Sequence, residues 1–154
     1  MTSPLWQFLS PSEDATVDLG RRIGAACRGG EVILLDGPLG AGKTCFAGGL
    51  AAGLGIDEPA VSPTFVILRS YRGDRGLTLH HFDFYRLGGE GDLDTIGFED
   101  CLTDDAVVLI EWPERCPSLF EQFTLALKLE VIDEASRRIT AWPGLLAHEH
   151  LVEK

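Results

Sequence analysis

Asparagine is absent from this 154-residue chain. Without it the guanine-reading N-K-x-D signature of Ras-like GTPases cannot be written. Any nucleotide preference is therefore tilted towards adenine, by exclusion alone. Basic charge is scarce as well: 13 Lys and Arg stand against 24 Asp and Glu, for a net charge of −11. Sequence-independent binding to DNA or RNA needs a Lys/Arg-rich face, and so does docking on an anionic membrane. The chain is expected to do neither directly, and any RNA would have to be held by another protein. No apolar run is long enough to span a bilayer. The four cysteines (Cys27, Cys45, Cys101 and Cys116) include no C-x-x-C pair, which argues against a zinc ribbon or a thioredoxin-type site. Met1 to Ser10 has neither a basic residue nor a long apolar stretch, so no secretory signal is expected. The thiols are read as reduced and the location as cytoplasmic.

What is present reads as one globular α/β domain over residues 1–154, with residues after about 143 forming a short helix or tail. Ser12 is a good N-cap, Glu13 and Asp14 follow it, and Leu19, Ile23, Ala26 and Cys27 share one helical face. Gly29 and Gly30 should stop that helix. Glu31 to Asp36 predicts a buried strand, because Val32 to Leu35 is continuously apolar. A Gly-rich turn then leads into a helix from Lys43 to Leu54, which Gly55 ends. Phe65 to Tyr71 and Leu77 to Tyr85 predict an antiparallel hairpin. Residues 88–105 are polar, with short helical pieces at Leu93 to Ile96 and Phe98 to Leu102. Ala106 to Ile110 predicts a second central strand. Thr124 to Val131 alternates, with Leu125, Leu127, Leu129 and Val131 on one face, and Arg137 to Trp142 can pair with it.

The chemistry is carried by Gly37-Pro-Leu-Gly-Ala-Gly42-Lys43-Thr44, which fits G-x-x-x-x-G-K-[ST]. This composition produces such a match by chance roughly 0.004 times, so the motif stands out even before its strand–turn–helix context is added. A polyphosphate must be stripped of water and its charge answered. Amides of Gly40, Ala41, Gly42 and Lys43 can point inward, at the positive end of a helix dipole. Glycine lets the backbone come close. Lys43 can reach the β- and γ-phosphates, and the Thr44 hydroxyl can ligate Mg²⁺. Cys45 follows and packs as a small apolar residue.

The loop needs an acidic partner at a neighbouring strand end. Glu111 directly follows Val107 to Ile110, and Asp83 lies in His80-His-Phe-Asp83-Phe-Tyr-Arg86. Thr64, in Ser62-Pro63-Thr64, is either a γ-phosphate sensor or plain turn chemistry. His80 and His81 alternate faces, so at most one can point at a site, and a core or edge histidine is the simpler reading. His148 and His150 sit near a loose end without a third ligand, so no metal site is expected there. Arg69, Arg72 and Arg75 form a solvated loop by default, or else a phosphate-clamping lid or a protein-facing edge.

Taken together, Glu13-Asp-Ala-Thr16 with Leu19-Gly20, Leu39 to Thr44, Ser62-Pro-Thr-Phe65, His81-Phe-Asp-Phe-Tyr-Arg-Leu87 and Ile110-Glu-Trp-Pro-Glu114 resemble the TsaE (YjeE) family, over roughly residues 10 to 140. The resemblance implies a three-layer P-loop NTPase fold with a mixed, partly antiparallel sheet that binds ATP and Mg²⁺. By the same likeness Thr44 and Glu111 hold Mg²⁺, and Asp83 lies beside the nucleotide and metal. Gly40 to Cys45, Thr64, Glu114 and Arg137 then border the nucleotide, with Arg138 the competing match for Arg137. Glu13 and Thr16 lie near the adenine. Lys43, Asp83 and Glu111 are the expected catalytic residues, with either carboxylate able to orient the attacking water. Pro38 and Cys45 replace a common acidic residue and a common threonine, and neither change removes a required side chain.

The expected function is then an ATPase that drives or resets the transferase TsaD and its companion TsaB, in making threonylcarbamoyladenosine next to the anticodon of tRNA. Turnover is expected to be slow without those partners, and tRNA to be met only through them. A small-metabolite P-loop kinase is the alternative. Its weakness is that a hairpin follows the P-loop helix where a βαβ substrate site is expected.

Overall fold

The computed structural model describes residues 3–57, 67–146 and 149–151. Seven strands form one sheet in the order β1-β7-β6-β2-β5-β4-β3. They are β1 (Trp6–Ser10), β2 (Val32–Asp36), β3 (Leu68–Arg72), β4 (Thr78–Asp83), β5 (Ala106–Glu111), β6 (Leu125–Val131) and β7 (Arg137–Pro143). The centre is parallel: β2 pairs with β5 and β6, and β4 pairs with β5. The flanks are antiparallel, with β1 on β7, β7 on β6 and β3 on β4.

The apolar runs behave as continuous hydrophobic strands do when both faces are covered. Ile33 and Leu35 join one core with Val107, Leu109 and Leu79, under helices α1 (Glu13–Ala26) and α2 (Lys43–Gly53). Val32 and Leu34 join the other with Val108, Ile110 and Phe82, under the short helix α3 (Asp92–Thr95) and several 3-10 turns. This is the three-layer arrangement with a mixed sheet. Phe82, Phe84 and Phe98 pack edge-on or tilted at 5.2–6.0 Å between centroids in the second layer.

Helices α1 and α2 touch backbone to backbone. A Cβ added at Gly20 or Gly24 would fall 2.3 Å from the carbonyl oxygen of Phe46 or Leu50. One at Gly49 or Gly53 would fall 2.0 or 2.2 Å from that of Val17 or Arg21. Ser12 caps α1 as expected, its hydroxyl accepting from the Ala15 amide at 3.1 Å.

Several expectations need correcting. Strand β1 is not expected from the sequence, because Gln7 and exposed Leu9 blur the alternation of a short edge strand. Leu125, Leu127 and Leu129 are buried on one face as expected; Val131 continues that alternation but is 51 % exposed, because β6 ends there. Glu31 is not a strand residue. It is buried, and it accepts the amides of Arg28 and Gly29 at the turn after α1. Residues 149–151 form a docked 3-10 turn where a short helix or tail was expected. Leu151 is buried, and His150 Nε2 lies 2.6 Å from Glu31 Oε2. Arg75 is no lid: it donates to the carbonyls of Gly24, Cys27 and Gly53, tying down the ends of α1 and α2. Among the described residues no helix is long and apolar enough to cross a membrane.

Candidate functional site

The parallel strands end together at one edge of the sheet, where open α/β sheets place their ligands. Strand β2 runs out into the Gly37–Gly42 loop, β4 ends on Asp83 and β5 on Glu111. Asp83 is paired in register with Glu111, and Glu111 with Leu35. Side chains alternate along a strand, so His81 and Asp83 lie on the Leu79 face and Glu111 on the Leu109 face. Both are the face that α1 and α2 cover.

Gly40 and Gly42 both have positive φ, 80° and 101°, and Gly42 serves as the N-cap of α2. Nothing lies within 4 Å of where a Gly40 Cβ would stand, so the loop leaves open space beside its backbone. Three of the four expected amides remain candidates for a phosphate. The fourth, that of Ala41, donates instead to the Pro38 carbonyl at 3.1 Å and closes the turn.

Lys43, the first residue of α2, is 6 % exposed, and its Nζ has no hydrogen-bond partner. It lies 4.0 Å from Glu111 Oε1 and 4.2 Å from the centroid of the Trp112 ring. Leaving a buried ammonium without hydrogen bonds is costly, so the position is built for a partner carrying acceptor oxygens. Trp112 is the one non-glycine residue with positive φ among the described residues (φ 59°, ψ 51°). Holding a bulky residue there costs about 1–3 kcal/mol, a strain that concentrates at functional sites. It lays the indole between Lys43 and Tyr85, whose ring centroid is 5.0 Å away.

Glu111 is 4 % exposed, and its Oε2 lies 2.7 Å from His81 Nε2. Asp83 is half-buried and accepts the Tyr85 amide on Oδ1 at 3.0 Å. Burial pushes its carboxyl above the ordinary range, against the pull of the Tyr85 amide; the nearby Glu111 carboxylate adds to the rise, and Lys43 and His81 oppose it. Arg137, at the start of β7, donates to the Gly40 carbonyl at 3.0 Å and to the carbonyls of Asp133 and Ser136, bracing the loop from outside. Arg138 faces elsewhere and meets Glu130 at 3.9 Å.

These groups line a cleft of about 520 Å³, within the size range of small-ligand sites. Of the residues singled out from the sequence, Glu13, Thr16, Gly40, Gly42, Lys43, Thr44, Cys45, Asp83, Glu111 and Arg137 all border it. Ala41 is buried behind the loop, and Glu114 is exposed on a 3-10 turn outside the lining. Thr64 lies outside the described residues, as does His148. Arg69, Arg72 and Arg75 are not on the wall, and Arg86 is. Sequence reasoning missed Ser12, Leu39, Tyr85, Arg86 and Ala135 as lining residues and His81 as the partner of Glu111. The i, i+2 spacing of His81 and Asp83 was the available signal for the last.

Among the described residues no group of three or more His, Cys, Asp or Glu forms a ready metal cage. Mg²⁺ needs none, since it is commonly held by one or two protein oxygens with phosphate and water. Thr44 and Glu111, both lining the cleft beside a buried ammonium that has no hydrogen-bond partner, fit that demand.

A family profile described as "Threonylcarbamoyl adenosine biosynthesis protein TsaE" matches residues 10–139. A protein of that name from Treponema pallidum is 42 % identical over 132 residues, covering 86 % of this chain and 96 % of its own. One from Mycobacterium leprae is 40 % identical over 141 residues, covering 87 % and 88 %. The crystal structure of Bacillus subtilis YdiB superposes with a TM-score of 0.69 at 30 % identity, covering 90 % of this chain and 86 % of that one. On the profile match and these relatives, the chain belongs to the TsaE family of tRNA threonylcarbamoyladenosine biosynthesis proteins.

Proposed function

We propose that the cleft binds ATP with Mg²⁺, and that hydrolysis there drives or resets a TsaB–TsaD complex during threonylcarbamoyladenosine synthesis on tRNA. The observation that carries this reading is the buried Lys43 ammonium, without a hydrogen-bond partner, at the N-terminus of α2 and 4.0 Å from Glu111. On binding, the triphosphate takes the amides of Gly40, Gly42 and Lys43, and Lys43 exchanges the Trp112 ring for phosphate oxygens. Thr44 and Glu111 are the residues that would hold Mg²⁺, which when bound neutralises phosphate charge as a Lewis acid. Asp83, half-buried and on the wall, is the carboxylate left to orient water, because Glu111 is held by His81 and taken up by the metal role. Arg137 keeps Gly40 in place, and Glu13 and Thr16 border the far end, where the base would lie.

The net charge of −11 supports a role in which the partners, not this chain, grip tRNA. The small-metabolite kinase has less support. Arg75 is spent on helix ends, and none of the three arginines proposed as its lid reaches the cleft.

The test is ATP turnover with and without TsaB and TsaD. The isolated protein should turn over slowly and the partners should accelerate it. Lys43→Ala should lose about 100-fold or more in turnover, the scale of removing one preorganised charge-stabilising donor. Glu111→Ala should weaken the Mg²⁺-dependent turnover. Full activity of both variants in the reconstituted system would overturn the assignment. Trp112 fluorescence should change on nucleotide binding, because the lysine leaves its face.

A further inference from the structure

We infer that His81 is a positioning residue for Glu111: its Nε2–H fixes one carboxylate oxygen so that the other is presented to the metal-bound triphosphate. The inference rests on the reading of Glu111 as a Mg²⁺ ligand and adds a residue to it.

The two oxygens of Glu111 have different surroundings. Oε2 lies 2.7 Å from His81 Nε2, whereas Oε1 faces Lys43 at 4.0 Å. An ionised carboxylate has no proton to give, so the imidazole donates. The bond joins two buried side chains from adjacent parallel strands, His81 at 0 % and Glu111 at 4 % exposure. The bond is shielded from bulk water on the His81 side, and it restricts the rotation of the carboxylate about its last torsion.

Packing alone does not explain a histidine here. Leu79, two residues earlier on the same face, is fully buried and fills that layer with an apolar side chain. At position 81 the ring instead carries a buried Nδ1 with no hydrogen-bond partner. A leucine would avoid that orphaned atom. What the histidine supplies is one N–H aimed at Glu111. Carboxylates that ligate metals are themselves held by such hydrogen bonds, and losing the outer partner lowers metal affinity by about 10- to 100-fold.

The experiment compares wild type, His81→Leu and His81→Gln, because the glutamine amide can reach the Nε2 position and leucine offers volume without a donor. Mn²⁺ affinity is measured by electron paramagnetic resonance with a non-hydrolysable ATP analogue. Nucleotide affinity without metal is followed separately by Trp112 fluorescence in EDTA. Expected is a 10- to 100-fold loss of Mn²⁺ affinity in His81→Leu, with most of it restored in His81→Gln and metal-free nucleotide affinity unchanged in both. Wild-type Mn²⁺ affinity in His81→Leu would overturn the inference. So would equal losses in the two variants, or a metal-free nucleotide affinity that falls as far as the metal affinity. If His81→Leu does not fold, His81→Asn replaces it. Its amide stops short of the Nε2 position, so it should bind Mn²⁺ more weakly than His81→Gln, and equal affinities would overturn the inference. A wild-type protein that holds neither Mn²⁺ nor nucleotide would instead sink the reading of the cleft itself.

Discussion

Four thiols report on four different depths of the molecule. Cys27 is 1 % exposed, and burial followed by the Glu31 charge drives its pKa far up. Cys116 is pushed to about 11 by burial, with Glu90 and Asp92 adding to it. Cys101 is raised mainly by its burial, and then by Asp100. Cys45 is only half-buried and lies on the cleft wall beside Thr44; burial and then Glu13 raise it, and Arg137 pulls it back. The thiolate is the reactive form, so each rise slows attack on a disulfide reagent. At pH 8, Cys45 should be the first labelled by an aromatic disulfide, slowly, at a rate still climbing above the usual thiol range. Mg²⁺–ATP should protect it, because the nucleotide covers that wall. Equal labelling with and without nucleotide would place Cys45 outside the binding site. The sequence put Cys45 beside the P-loop threonine, and its neighbours there fix its position locally. It could not rank the four thiols, because their burial comes from residues far along the chain.

At the scale of elements, the α1–α2 contact explains four helical glycines that sequence periodicity reads merely as weak helix formers. Two substitutions side by side should have opposite signs. Gly49→Ala drives a methyl to 2.0 Å from the Val17 carbonyl, and neither backbone can yield without moving a helix. It should cost about 1–3 kcal/mol, the usual penalty of overpacking. Gly48→Ala meets nothing within 4 Å. It should stabilise by about 0.5–1 kcal/mol through helix propensity alone. Chemical denaturation of the two variants checks this, and a shared sign would show that the helices are not in backbone contact. Both helices were legible from the sequence: Ser12 and the Gly37–Thr44 motif announce their starts, and Gly55 (φ 80°) marks the end of α2. Their closeness was not, because a glycine in a helix looks the same whether it faces solvent or another backbone.

For the whole molecule, the far end of the sheet is held by a clasp. His150 reaches from a 3-10 turn (Glu149–Leu151) to Glu31, just ahead of β2, and buries to 11 % side-chain exposure against 3 % for Glu31. Glu31 sits at the opposite end of β2 from the P-loop, a full strand away. His150→Ala should therefore lower global stability by about 1–3 kcal/mol, the range for a charge-assisted bond whose partner stays buried. Nucleotide affinity should not change. A large loss of nucleotide affinity would mean that the clasp and the cleft are coupled through the sheet.

The sequence by itself determined what depends on neighbours along the chain. The apolar runs of β2 and β5, the cap at Ser12 and the phosphate loop from Gly37 to Thr44 are each set by a few consecutive residues, through backbone freedom, helix polarity and alternation. Only the tertiary structure decided what depends on neighbours across space. It chose Arg137 over Arg138 for the cleft, turned Arg75 from a lid into a clamp on helix ends, and gave Glu111 a histidine 30 residues away. The physical reason is desolvation. Burying a charge costs least beside a partner, and which partner is at hand is decided by the order and register of the strands.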